Sequence, residues 1–186
     1  MRGMLLTRPS LSLAIALFLL VLPTDGPAQT GALTKDPTDV LKKYLMLDRH
    51  GARLEAMSWE TVKPYINWKE EPAWGHVVVI ADFEILDDIT QWEIISNLDV
   101  VIPVKFRVLG SMYWETAGFL PDAKVEEIRF RVKGVIDRWR IMEPILPPHV
   151  GQKRMIGYVR QAMLQETDPS RLTKLTELLD ALRKAQ

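Results

Sequence analysis

The side chains in this sequence that could recognise a ligand are mostly tryptophans and arginines. Trp59, Trp68 and Trp74 crowd a segment rich in loop signals, with Tyr65 among them. Such a cluster can wall a pocket mouth that takes an apolar or ring-shaped ligand. Tyr65, Trp68 and Trp74 are therefore the ligand-binding candidates. The plainer reading is burial, because large aromatic rings mostly serve as core. Trp92 and Trp139, on alternating segments, read as core in either case. Arg107, Arg129, Arg131, Arg138 and Arg140, with Lys105 and Lys133, fall on the polar positions of three alternating segments. Guanidinium groups on neighbouring strands could converge on an anion, and Arg107 joins the candidates on that ground. The competing reading is a solvated outer face balanced by Glu126, Glu127, Asp137 and Glu143.

Other chemistries lack their residues. The chain has no cysteine, which removes thiolate metal sites, thiol nucleophiles and disulfides. Its three histidines, His50, His76 and His149, stand far apart with no zinc-ligand spacing. His50 reads as a favourable charge near a helix C-terminus. His149, after two prolines, reads as a loop residue. No phosphate loop, dinucleotide fingerprint, internal repeat or Ser-His-Asp order occurs, so no metal and no cofactor is expected. Lys and Arg together number 24 against 24 acids. A balanced chain has no bulk field to draw a polyanion, which makes nucleic acid and anionic lipid poor partners.

The elements that must position these residues are legible in the periodicity. Asp36-Pro37 is a helix start, with an N-cap acid and proline at the first helical position. Val40, Leu41, Tyr44, Leu45 and Asp48 then share one stripe, and Gly51 is a stop signal. Ser58 can cap a short second helix, Trp59–Lys63, ended by Pro64. From His76 the period changes to two. Strands are expected over His76–Leu86, Thr90–Ser96, Val100–Leu109, Val125–Lys133 and Arg138–Met142. In the first, Val77, Val79, Ala81, Phe83 and Ile85 share a face. Asn97-Leu98-Asp99 is a tight antiparallel link, a turn follows at Gly134 to Asp137, and Pro144, Pro147 and Pro148 close the sheet. Met155, Ile156, Val159, Ala162 and Met163 line a later helix. Asp168-Pro169 opens the last one, lined by Leu172, Leu175, Leu178, Leu179 and Leu182. These elements predict an α+β domain. Its curved antiparallel sheet of five to six strands wraps on the N-terminal helices, and a C-terminal helical hairpin follows. The domain spans 36–150 and the hairpin 151–186.

This order resembles the nuclear transport factor two-like superfamily, the cone-shaped, cystatin-like α+β domains. The residues that carry it are the opening helix Asp36–His50, the long hairpin around Val100–Gly110, and Phe130-Arg131-Val132-Lys133 followed by Arg138-Trp139-Arg140-Ile141. The resemblance covers Asp36–Met142 and leaves about forty further residues outside it. It implies a pocket between the first helices and the concave sheet face. It also implies a choice between catalytic members, isomerases, dehydratases and cyclases, and members that only bind or dimerise. Catalytic relatives set a carboxyl group and a tyrosine in that pocket. The matching candidates here are Tyr44 and Asp48 on the first helix and Asp82 or Glu84 in the first strand. Asp82 interrupts the apolar run Val79-Ile80-Ala81-Asp82-Phe83, on the face opposite Val79 and Phe83.

The first 28 residues read as a secretory signal peptide: basic Arg2 and Arg8, the run Leu11–Leu22, apolar except for Ser12, then Gly26 and Ala28 at a small-residue cleavage site. A run of twelve is too short to span a bilayer, which takes about 20 residues. Residues 29–35 form a tether, and no membrane anchor is expected after cleavage. The expected compartment is a periplasm or the exterior. The leading functional expectation is an exported, non-catalytic domain that binds a small apolar or aromatic ligand or a partner. A carboxylate–tyrosine enzyme and a homodimerising assembly protein are the alternatives. Intact-mass spectrometry of the exported protein is expected to find a chain beginning at Gln29, or at Leu33 if cleavage follows Ala32, with Thr30 at −3, instead; a retained Leu11–Leu22 segment would reject cleavage.

Overall fold

Helix α1 (Pro37–Arg49) begins where the local chemistry says it should. Asp36 Oδ1 accepts from the Thr38 amide and hydroxyl, both at 2.8 Å, and Pro37 supplies a ring already at helical φ. Its buried stripe is the predicted one, Val40, Leu41, Tyr44, Leu45 and Asp48. At the end, Gly51 takes φ +82°, a left-handed conformation that suits glycine. The computed structural model describes residues 36–55, 59–70 and 72–186. The signal segment 1–28, the tether 29–35 and the Ser58 cap lie outside the described residues. Helix α2 (Trp59–Val62) runs into a 3₁₀ turn over Lys63–Tyr65, so Pro64 sits within that turn.

The fold is α+β, with a curled half-barrel sheet. Its strands are β1 (Val77–Ile85), β2 (Glu93–Ser96), β3 (Asp99–Tyr113), β4 (Gly118–Val135), β5 (Arg138–Glu143) and β6 (His149–Gly151). Spatial order is β5-β4-β3-β1-β6, and β2 pairs the start of β3. The β3–β4 hairpin is longer than the alternation shows, running from Asp99 opposite Lys133 to Tyr113 opposite Gly118. Its far half carries Pro121 and exposed polar residues, so it gives no apolar period. β2 is shorter than expected, because Ile89–Gln91 forms a 3₁₀ turn in front of it.

Two expectations are corrected. The sheet does not end at the prolines, since β6 adds three residues parallel to β1, with Val78 opposite His149. β1 does not keep one face either. Its pairing with β3 slips twice: Val79 pairs Gly110, Ile80 pairs Val108 and Asp82 pairs Arg107. Leu109 and Ala81 are the extra residues, one on each strand, and each reverses the alternation beyond it. Val77, Val79 and Ala81 therefore face one core, while Ile80, Phe83 and Ile85 face another.

The first core fills the curl of the sheet. Leu41, Tyr44 and Leu45 of α1 meet Trp59, Val62 and Trp68, then the inward rows Val100–Val108 of β3, Phe130 and Val132 of β4, and Trp139 and Ile141 of β5. The second core lies under helices α3 (Gln152–Gln165) and α4 (Pro169–Lys184). There Met155, Val159, Leu175, Leu178, Leu179 and Leu182 cover Val79, Leu109, Met112 and Val150. Asp168 caps α4 through the amides of Ser170 and Arg171, both at 3.2 Å. Gln152 Nε2 closes the pair by donating to the carbonyls of Leu182 at 2.7 Å and Ala185 at 2.8 Å. Among the described residues no helix is long and apolar enough to cross a membrane.

Gly110 stands at the slip in β3. It takes φ +152°, and a Cβ there would run into the Leu120 carbonyl oxygen and the Phe119 ring, Cζ lying at 2.8 Å. Backbone cannot yield as a flexible side chain can. Gly110→Ala is expected to lower stability by about 2–4 kcal/mol, measured by urea unfolding. A loss below about 0.5 kcal/mol would mean that the slip tolerates a side chain.

Candidate functional site

Asp48, a catalytic candidate from the sequence, lies buried at the C-terminal end of α1. Both carboxylate oxygens are taken by Arg53: Nε donates to Oδ1 at 2.9 Å and Nη2 to Oδ2 at 3.0 Å. The His149 amide donates to Oδ2 at 2.9 Å. Arg53 is itself buried, its guanidinium carbon 5.8 Å from the Tyr44 ring and 5.6 Å from that of Trp68. Its Nη1 reaches the Leu146 carbonyl at 2.9 Å. Tyr44 and Asp48 thus meet around the same cation, and that cation engages the carboxylate. Asp82 is elsewhere: it stands on the outer face of β1, half exposed, with Arg49 at 2.7 Å. Beyond the Ala81 bulge it shares a face with Val79, contrary to the sequence alternation, and remains opposite Phe83.

The four ligand-binding candidates do not gather. Arg107 is exposed on β3 across from Asp82. Tyr65 lines a surface cleft of about 380 Å³ with Val40, Trp139 and the charged Asp39, Lys43, Asp137 and Arg138. Trp68 belongs to the first core, stacked on Trp59 at 6.1 Å and edge-on to Tyr44 at 6.0 Å. Nor do the arginines converge. Arg131 forks onto Asp99 at 2.9 and 2.8 Å, Arg129 faces Glu93 at 3.7 Å, and Arg138 holds Asp137 at 3.0 Å. The fork holds the Asp99 carboxyl below its ordinary pKa, and burial opposes that shift. These pairs fit the balanced outer face, with Asp99, Glu93 and Glu143 as partners beside Asp137.

Trp74 marks a different place. With Pro72, His76, Trp114, Pro148 and Tyr158 it bounds a cleft of about 340 Å³ where β1 begins and β3 ends. Trp114 and Tyr158 meet edge to face at 5.1 Å, and His76 lies 5.7 Å from Tyr113. Two of the wall rings carry an arginine: Arg171 sits 5.6 Å over Trp114 and Arg154 5.9 Å over Tyr158. The floor includes Arg53 and Met112. Two indole donors are out of solvent without a hydrogen-bond partner among the described residues, Trp74 Nε1 beside this cleft and Trp68 Nε1 in the first core. Trp114 and Tyr158 went unnoticed in the sequence, one past the expected end of its strand and the other on the polar side of a helix stripe. Among the described residues no three His, Asp or Glu side chains are grouped to hold a metal. No protein-family profile matches the chain, and no curated protein and no solved structure matches it either.

His149 connects this region to the core. It is no loop residue: its amide bonds Asp48, its Nδ1 lies 2.8 Å from the Pro147 carbonyl, and its ring packs 4.8 Å from that of Phe106. Burial pushes the imidazole below its ordinary value of 6.5, against the opposing pull of Asp48. Between the two values the unfolded chain binds a proton that the folded chain refuses, so this group's stability is complete above 6.5 and is lost as pH falls. The Asp99 window opens only below its ordinary 3.8 and leaves this range clear. Melting temperature is expected to fall between about pH 7.5 and about pH 5, and His149→Asn to flatten that slope. An equal slope in the variant would remove His149 as its source.

Proposed function

We propose that this chain acts outside the cytoplasm as a non-catalytic binding protein, and that its ligand enters the cleft of Trp74, His76, Trp114 and Tyr158. One observation carries the site: the Trp74 indole N–H, shielded from water and unpaired among the described residues, beside a wall of aromatic rings. An unmet buried donor costs about 1–3 kcal/mol, and a ligand acceptor that met Trp74 Nε1 as the indole turned toward the cleft would recover it. The matching ligand is small, flat and largely apolar, with one hydrogen-bond acceptor at its edge. The arginines stacked over Trp114 and Tyr158 favour rings held in place before binding, which limits the entropy lost on association.

A non-catalytic reading is supported by the state of the acid candidates. Arg53 engages the Asp48 carboxylate, and Asp82 faces solvent beside Arg49. The element order supports kinship with the nuclear transport factor two-like domains. The space where those domains hold a pocket is here occupied by Tyr44, Trp59 and Trp68, which favours the cleft at the sheet's end. The apolar run and small-residue site near Ala28 support export.

A panel of small aromatic carboxylates, esters and amides, followed by calorimetry, tests the cleft. At least one compound is expected to bind the wild type. Trp74→Phe, which keeps a ring and loses the donor, should weaken that compound about tenfold, the equivalent of about 1.4 kcal/mol. Trp114→Ala should abolish binding with the melting transition still cooperative. Equal affinity in both variants, or no binder in the panel, would overturn the assignment.

A further inference from the structure

The tip of the β4–β5 hairpin breaks two rules at once. Val135 pairs Arg138, so Ile136 and Asp137 form a two-residue loop. Ile136 takes φ +59°, at a position such hairpins commonly give to glycine, and a β-branched side chain there is a true outlier. The residue is also 99% exposed. The backbone strain and the bare apolar surface both cost the folded chain, and Ile136 makes no packing contact that offsets them. Strain retained in this way points to a use outside the chain.

The surroundings extend the feature. The Leu98 carbonyl accepts from the Gly134 amide at 2.8 Å, which sets the β2–β3 turn against the hairpin's root. Leu98 is half exposed, as are Ile94 and Ile95 on β2. On Arg138, two residues from Ile136, an open groove of about 620 Å³ begins, with Lys63, Lys69 and Arg140 as its other cations and no carboxylate in its lining. Glu60 and Asp137 partner Lys63 and Arg138 from the margins. Lys69 and Arg140 make no contact ion pair with a carboxylate among the described residues; the Asp137 charge acts on Arg140 from a distance, and Arg140 donates to the carbonyls of Lys63 and Ile66, both at 2.9 Å.

We infer that this end of the molecule rests on an anionic bilayer, with Ile136 entering the boundary of the acyl chains and the Lys63, Lys69, Arg138 and Arg140 groove meeting lipid phosphates. An apolar tip beside a cluster of cations suits a lipid surface, where burial and surface potential act together. A second copy of the chain fits less well. A stable protein interface buries about 1,200 Å² or more in total, and one hairpin tip with a few neighbours does not supply it. The near-zero net charge of the whole chain does not oppose this contact, because the cations are gathered locally and act within a Debye length of about 10 Å.

Co-sedimentation with vesicles tests it, using phosphatidylcholine alone and with about one third phosphatidylglycerol at low salt. The wild type is expected to pellet with the anionic vesicles and to stay in solution with the neutral ones. Ile136→Gly relieves the strained φ, so it should keep or raise the melting temperature and yet weaken binding at least about fivefold. Lys69→Glu should weaken it comparably. A wild type that stays in solution with both vesicles overturns the inference, as does full binding by Ile136→Gly. A concentration-dependent dimer in light scattering that Ile136→Gly abolishes would overturn it in favour of self-association.

Discussion

The change of buried face at one line across the sheet is the constraint on which the rest of the structure depends. A strand alternates its side chains, so a sheet of regular register buries one face and wets the other. Here the single-residue slips at Ala81 and Leu109 let one sheet serve two cores. On one side of the line, Phe83, Val104 and Phe106 pack inward against α1 and α2. On the other, Val79 and Met112 pack outward against α3 and α4. The last two helices are thereby given a face to cover, and the exposed apolar surface that a uniform register would leave does not arise. Gly110 is the residue at which this switch admits no side chain.

The two cores are joined by one buried polar cluster. Asp48 ends α1, Arg53 stands in the loop after it, and His149 begins β6, which leads directly into α3. A buried ion pair of this kind gives little net stability, since desolvation offsets most of its attraction. Removing one partner is another matter, because the remaining charge would be stranded at a cost of about 3–5 kcal/mol. The cluster therefore acts as a fastener. It fixes how the first helix meets the strand that launches the C-terminal pair, and it holds Arg53 as the floor of the aromatic cleft. The carboxylate and tyrosine that suggest an enzyme in the sequence belong to this fastener.

What could be read from the sequence was what local chemistry decides. Asp36-Pro37 and Asp168-Pro169 start helices because a cap acts on amides two or three residues away. The β3 row Val100 to Val108 was legible because one face is dry and the other carries Lys105 and Arg107. β1 was legible as a strand but not in its faces, since Val77-Val78-Val79-Ile80-Ala81 is apolar throughout and a strand buried on both faces carries no period. The bulge is a property of the pairing with β3, and only the partner reveals it. Arg53 is hidden for a related reason: beyond Asp48, five residues away, its acceptor is the Leu146 carbonyl, far along the chain, and the burial that joins them is a property of the fold. The two prolines before His149 imitate a loop, although a three-residue strand follows them.

The tryptophans show how the same limit falls on the candidate site. Trp59, Trp68 and Trp74 are close in sequence, and that closeness suggested one pocket. The chain instead turns between them, sending Trp59 and Trp68 into the first core while Trp74 reaches the end of the sheet. There its neighbours are Trp114 from the turn of the β3–β4 hairpin and Tyr158 from α3, residues separated from it by two strands or more. The cleft exists only because the register switch brings the C-terminal helices over that end of the sheet. Recognition in this chain is thus tied to its architecture: the bulge line that permits a second core also sets the aromatic wall beside the Trp74 donor.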